Sequence, residues 1–213
     1  PAEVLARLPQ SAPVAHADTS LSEAPFWFAF NTIGSGGKPA AVEFPSRHSI
    51  ELACWDAATL RPLGNATRGK SEGALAPVKS GFALTLDASP SQVLCRGKFI
   101  GPARLTAVQW PAEELALSVE QYHRKSGLLD GGMIVLALFV LTTALINRQR
   151  LYVLFAGWLI MNLRIGALSA GWDTQWLGQV VPPEWLLLSR SVSIALYAIA
   201  PLTLYQTLLR REL

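Results

Sequence analysis

Long runs of apolar residues dominate the second half of the chain and predict three membrane-spanning helices. The runs cover Leu128 to Ile146, Leu151 to Ala170 and Trp185 to Leu209. At about 1.5 Å per residue, each helix is long enough to cross roughly 30 Å of hydrocarbon. The alternative is three buried helices of a soluble protein, but such helices are usually shorter and show a polar face. The pattern therefore favours a membrane-embedded part over residues 128–213.

The first half contains short apolar stretches separated by turn residues, a pattern that is typical of β-strands. The clearest is Ser49 to Trp55, where Ile50, Leu52 and Cys54 alternate with more polar residues. Seven or so such strands at close spacing predict an all-β sandwich. The other stretches are Phe26–Phe30, Ala41–Phe44, Leu60–Leu63, Gly81–Leu86, Ser91–Gly97 and Arg104–Trp110.

These patterns divide the chain into four parts. Residues 1–24 are rich in Ala, Pro and Ser and form an irregular lead-in. Residues 25–112 form the predicted sandwich. Residues 113–127 form a juxtamembrane segment, whose first part has a helical period. Residues 128–213 form the three helices.

Composition and charge agree with a membrane protein. Charged residues make up 15% of the chain, against about 25% in an ordinary soluble domain, and the net charge is +3. The densest basic cluster is His123-Arg124-Lys125, which adjoins an apolar run. Such a cluster favours contact with lipid headgroups, so membrane lipid is an expected partner and nucleic acid is not.

The loops predict the orientation of the helices. The loop of residues 147–150 carries two arginines, and Arg210 and Arg211 follow the third helix, so both regions are expected in the cytoplasm. Residues 171–184 contain Asp173 and Glu184 but no Lys or Arg, and are expected outside, as is the sandwich. Trp172, Trp176 and Trp185 flank that loop as an interfacial aromatic belt would. Arg124 and Lys125 run against this scheme.

Three charged residues fall inside the apolar runs, where charge is costly and invites a functional explanation. They are Asp130, Arg164 and Arg190. One hypothesis is that Asp130 pairs with Arg164 or Arg190 across the bundle. The alternative is that each arginine extends separately toward the headgroups. Pro201 is expected to kink the third helix.

The cysteines and histidines limit the chemistry that the chain can perform. Cys54 and Cys95 lie in predicted strands, where they could form a disulfide in an oxidising compartment or be two small buried residues. The histidines lie far apart, so no metal site is predicted, and no cofactor is expected. No pattern of catalytic residues is recognisable, so the chain is not predicted to be an enzyme.

Trp27, Trp55 and Trp110 lie in predicted strands. Such side chains could stack on a sugar, but strand tryptophans are more often core residues. No binding residue is therefore assigned from the sequence.

Phe26–Phe30 is a short aromatic stretch and Ile50–Trp55 an alternating one, Gly127 and Gly131 lie at the start of the first apolar run, and residues 148–152 form a short basic loop. Together these segments resemble the bacterial seven-transmembrane receptors with diverse intracellular signalling modules, over residues 25–213. They are similar to that family's aromatic first core strand, its central strand, the glycines that open its first helix and its short basic loop. Phe139-Val140 stands where the family often has Tyr-Asn, and the chain has three predicted helices where the family has seven.

The resemblance implies a jelly-roll-like sandwich outside the bacterial plasma membrane and a cytoplasmic C-terminus. It implies a sensor that binds a small-molecule or carbohydrate-like ligand. The signal would pass to a diguanylate cyclase, a cyclic-di-GMP phosphodiesterase or a histidine kinase, none of which this chain contains. The chain is therefore expected to be a fragment or a truncated relative, with a homodimer among its expected states.

Two other functions remain open from the sequence. The first is a membrane-anchored envelope assembly or adhesion module without signalling output. The second is a membrane enzyme or transporter that uses Asp130, Arg164 and Arg190 along a substrate path.

Overall fold

The computed structural model describes residues 1–8, 17–19, 24–34, 38–86, 90–99, 104–170 and 183–212. They form two compact units, Pro1–Gln121 and Tyr122–Leu213. The first unit is an antiparallel β-sheet region and the second contains the long apolar helices. The predicted outer loop with Trp172, Asp173 and Trp176 lies outside the described residues, as do the side chains of Glu184, Arg210 and Arg211.

The first unit begins with a short helix, α1 (Ala2–Arg7), and then contains eleven described strands. In chain order they are β1 (Ala17–Asp18), β2 (Phe26–Asn31), β3 (Ala40–Phe44), β4 (Ser49–Asp56), β5 (Pro62–Thr67), β6 (Ser71–Gly73), β7 (Leu75–Val78), β8 (Gly81–Leu86), β9 (Gln92–Phe99), β10 (Arg104–Leu105) and β11 (Val108–Pro111).

These strands form two main antiparallel sheets. One sheet has five strands in the order β2-β9-β4-β5-β6, and the other has four in the order β11-β3-β8-β7. β1 and β10 pair separately. The predicted all-β region is thereby confirmed. The single run that was predicted at residues 104–110 is wrong in detail, because it divides into β10 and β11 in different sheets.

The two main sheets share one hydrophobic core, because alternate residues of each strand face the other sheet. β3 contributes Val42 and Phe44, and β4 contributes Leu52 and Cys54. β8 and β9 add the fully buried core side chains Phe82, Leu84, Val93 and Cys95. Phe28 and Phe30 of β2 meet Phe44 edge-on, with ring centroids 5.9 and 5.6 Å away.

Two local features close one end of this core. A Cβ at Gly81 would lie 1.9 Å from the Phe44 carbonyl oxygen, so the approach of β8 to β3 requires glycine there. The Arg68 guanidinium donates hydrogen bonds to the carbonyl oxygens of Ser46, Arg47, Ser49 and Ser80. Arg68 therefore ties the β3–β4 connection to the turn before β8.

The remaining elements are three long helices, α2 (Ala112–Asn147), α3 (Arg150–Ala170) and α4 (Pro183–Glu212). All three are long and apolar enough to cross a membrane. In the second unit, Ala137 and Val140 of α2 pack against Ala156 and Leu159 of α3. α2 begins well before the predicted start at Leu128, so residues 113–127 continue the first helix. Pro201 lies inside α4, as expected.

Candidate functional site

The first two turns of α2 pack on the outer face of the four-stranded sheet. Leu115 and Val119, one turn apart on the helix, meet Ala41 of β3 and Ala83 of β8. The two alanines are buried, and their small side chains let the helix approach the sheet closely. The backbone N–H of Ala112 donates to the Pro39 carbonyl oxygen over 3.2 Å. The beginning of α2 is therefore part of the β-sheet unit.

The sequence explains why α2 begins where it does. Pro111 disfavours a helical conformation at Trp110, so the helix cannot extend back into β11. Glu113 and Glu114 place negative charge in the first turn, which stabilises a helix N-terminus. The helix then continues for 36 residues, or about 54 Å, without an internal break. That length exceeds what the hydrocarbon layer alone requires.

A buried ion pair lies on the same face of the four-stranded sheet. Glu43 points outward from β3, two residues after Ala41, and its Oε1 atom lies 3.0 Å from Nζ of Lys79. The two side chains are only 5% and 14% exposed. The Lys79 ammonium also lies 5.4 Å from the centroid of the Trp110 ring. Sequence reasoning missed this pair because its members are 36 residues apart.

The outer face of the five-stranded sheet carries a pair of tryptophans, here called the tryptophan platform. The ring centroids of Trp27 and Trp55 are 5.3 Å apart, with 33° between their planes. Both side chains are half-buried, and Leu94, which pairs with Trp55 in the register, is fully buried. Trp110 lies in the other sheet, so the structure brings together two of the three tryptophans singled out from the sequence.

Polar groups surround the tryptophan platform. Arg96 pairs with Trp27 in the strand register, and its guanidinium lies 2.9 Å from the Glu51 carboxylate. Both charged side chains remain about 40% exposed, at 41% and 38%. Asn65 of β5 lies further along the same line across the strands, and its side-chain amide donates a hydrogen bond to the Glu72 carboxylate. Partly exposed aromatic rings beside charged and amide groups can hold a polyhydroxylated ligand by stacking and hydrogen bonding.

The turn after Trp55 is held by an aspartate. The Asp56 carboxylate accepts hydrogen bonds from the Thr59 hydroxyl, over 2.7 Å, and from the backbone N–H of Ala58, over 3.0 Å. These bonds favour the charged form and lower the pKa of Asp56 below its ordinary value of 3.8. The charged carboxylate therefore stabilises the turn fully at pH values above 3.8. This stabilisation is lost as the pH falls through the lowered pKa of Asp56.

A disulfide joins Cys54 and Cys95 beneath the tryptophan platform. The two residues are directly opposite each other on the paired strands β4 and β9, with Cα atoms 4.2 Å apart. Both cysteines are completely buried. The bridge therefore fixes the centre of the five-stranded sheet.

The intramembrane charged residues of the sequence prediction lie on all three helices. Nη2 of Arg164 donates to the Ser189 hydroxyl of α4 over 2.8 Å. A Cβ on Gly166 would lie 4.0 Å from Oδ1 of Asp130. Residues 164 and 166 lie on nearly opposite sides of a helix, so Arg164 faces α4 while Asp130 approaches the other side of α3. Pairing of Asp130 with Arg164 or Arg190 stays a prediction.

Other polar groups lie where α3 contacts α4. Asn162 of α3 accepts a hydrogen bond from the Tyr197 hydroxyl of α4 over 3.4 Å, and Ser193 of α4 is buried. The α3–α4 contact thus contains several polar groups. Among the residues that the structure describes, no group of three His, Cys, Asp or Glu residues could hold a metal ion.

Comparisons with protein-family models, curated proteins and solved structures find no match to this chain. Its function must therefore be inferred from its own geometry.

Proposed function

We propose that this chain is the sensory part of a bacterial membrane receptor. The observation that carries the proposal is the packing of Leu115 and Val119 on the four-stranded sheet, at the start of a helix that continues as an apolar span. A ligand that shifts the four-stranded sheet, directly or through the core that it shares with the five-stranded sheet, would also shift the helix packed on it. Such signalling requires a ligand that binds two states of the protein with different affinity.

The ligand is proposed to be carbohydrate-like and to bind the tryptophan platform. The partly exposed side chains of Trp27 and Trp55 offer stacking surface, and Arg96, Glu51 and Asn65 offer hydrogen-bonding groups beside them. Both side chains are only partly covered, so part of each stays accessible to a ligand. This accessible surface beside charged groups supports a binding role.

The sheet region is proposed to be a jelly-roll-like sandwich outside the plasma membrane, with the C-terminus of the chain in the cytoplasm. The Cys54–Cys95 disulfide supports this placement, because such bonds persist in oxidising compartments. The basic loop of residues 147–150 supports it through the positive-inside rule. The signal is proposed to reach a cyclase, phosphodiesterase or kinase domain.

A cellular assay tests both binding and transmission. In bacteria that produce the complete gene product, one of a panel of cello-, xylo-, laminari- and chito-oligosaccharides is expected to change the output, read as cyclic-di-GMP level or kinase autophosphorylation. Trp55→Ala should abolish the response by removing half of the tryptophan platform. Leu115→Ser should abolish it by detaching α2 from the sheet, because Leu115 is only 6% exposed.

Leu117→Ser is the matched control, because Leu117 lies on the same turns of α2 but is 59% exposed. This variant should keep the wild-type response. A full response in Leu115→Ser would contradict transmission through α2. Capture of one stoichiometric envelope protein, with no oligosaccharide changing the output, would favour the assembly or adhesion module instead.

A further inference from the structure

The corner where β11 leads into α2 contains a cavity of about 280 Å³. Its wall is mostly apolar and is formed by Ile33, Pro39, Ala40, Trp110 and Pro111. Lys38 adds a positive charge, and none of the described lining residues is acidic. Small-molecule sites usually measure about 300 to 1,000 Å³, and this cavity lies just below that range, so it suits a small ligand.

The rim of this cavity is fixed by a pair of hydrogen bonds. The Gln109 side-chain amide donates to the Ile33 carbonyl oxygen over 2.7 Å and accepts from the Ile33 backbone N–H over 2.8 Å. Yet the Ile33 side chain is 76% exposed. Gln109 therefore holds an apolar side chain at the cavity rim, where a ligand can contact it.

Within the part of the chain that the structure describes, the buried indole N–H of Trp110 has no hydrogen-bond partner. A buried donor without an acceptor is unfavourable, so such a group calls for a ligand or water that satisfies it. The N–H is enclosed, so an acceptor in the cavity reaches it only if the ring shifts toward the ligand. That shift would also move the ring on which Lys79 and the start of α2 pack.

We propose that this cavity binds a small monocarboxylate with an apolar body. The apolar wall takes the body, and the carboxylate oxygens accept hydrogen bonds from the Lys38 ammonium and the Trp110 indole N–H. This site is separate from the tryptophan platform, because its residues precede β3 or belong to β3 and β11. An effect of the occupant on α2 rests on the proposed sensory function, whereas binding itself does not.

The test uses the full chain in detergent micelles with ¹⁵N-labelled tryptophan. The probes are butyrate, hexanoate and benzoate, with the corresponding neutral amides as controls. Trp110→Phe identifies the Trp110 indole resonance by its loss. At least one carboxylate is expected to move this resonance downfield and saturably, and its amide should bind several-fold more weakly.

Two lysine variants make the test specific. Lys38→Gln should weaken carboxylate binding several-fold, whereas Lys98→Gln, on the five-stranded sheet, should leave it unchanged. The site is rejected if no probe moves the Trp110 resonance, if the amides bind as well as the acids, or if Lys38→Gln binds like the wild type. Carboxylate binding in a chain that gives no cellular response would contradict the sensory function and leave this site standing.

Discussion

Replacing Cys54 and Cys95 together with alanine is expected to lower the free energy of unfolding of the β-sheet unit by about 4 kcal/mol. The two residues are separated by 41 positions, and closing a loop of that length restricts the unfolded chain strongly. Alanine is the appropriate replacement because both sites are fully buried, where a serine hydroxyl would lack water. The bridge also joins strands at the centre of the sheet.

Amide hydrogen exchange of β4 and β9, measured by mass spectrometry on the full chain in detergent, gives the local free energy of opening. The same measurement on the reduced wild type should match the double variant. A loss well under about 1 kcal/mol in the double variant would mean that the bridge does not restrain the fold. Non-reducing electrophoresis of the wild type from cells should show the bridge formed.

Glu43→Ala is expected to destabilise the β-sheet unit by about 3 kcal/mol or more. The change removes the carboxylate that pairs with Lys79 and leaves a largely buried ammonium without its counter-charge. Replacing both members with leucine should recover most of this loss, because two apolar side chains can fill the same space without an uncompensated charge. Urea unfolding of the full chain, followed by hydrogen exchange of β3 and β8, measures both variants.

The second ion pair of the sheets provides the control. Glu51 and Arg96 lie at a similar distance, 2.9 Å, but both are about 40% exposed, at 38% and 41%. Glu51→Ala should therefore cost less than about 1 kcal/mol. Equal losses in Glu43→Ala and Glu51→Ala would show that burial does not set the strength of the Glu43–Lys79 pair.

The parts of the fold that depend on local patterns were predictable from the sequence. The three apolar helices follow from hydropathy and length, and β4 and β8 from the alternation of their residues. β6 and β7 were missed because Ser71–Gly73 is polar and Leu75–Val78 contains a proline. The helical period of the first part of residues 113–127 was recognised, but its continuity with the apolar span was missed, because the polar residues His123 to Ser126 and Gly127 separate the two.

The candidate sites depend on pairing between distant strands, which one sequence does not reveal. Trp27 and Trp55 meet only because β9 lies between β2 and β4 in the sheet. The same arrangement places Cys95 opposite Cys54. Glu43 could have been flagged, since it interrupts the apolar residues of β3, but its partner Lys79 depends on the turn between β7 and β8.

The central claim is that the β-sheet unit lies outside the plasma membrane and the α2–α3 loop lies in the cytoplasm. Because the native cysteines form a buried disulfide, single new cysteines can be labelled with little background. A membrane-impermeant maleimide on intact cells tests two exposed positions, Ala58→Cys in the β-sheet unit and Asn147→Cys at the end of α2. The account predicts labelling of Ala58→Cys in intact cells and of Asn147→Cys only after permeabilisation. Labelling of Asn147→Cys alone in intact cells would place the β-sheet unit in the cytoplasm and contradict an external sensor.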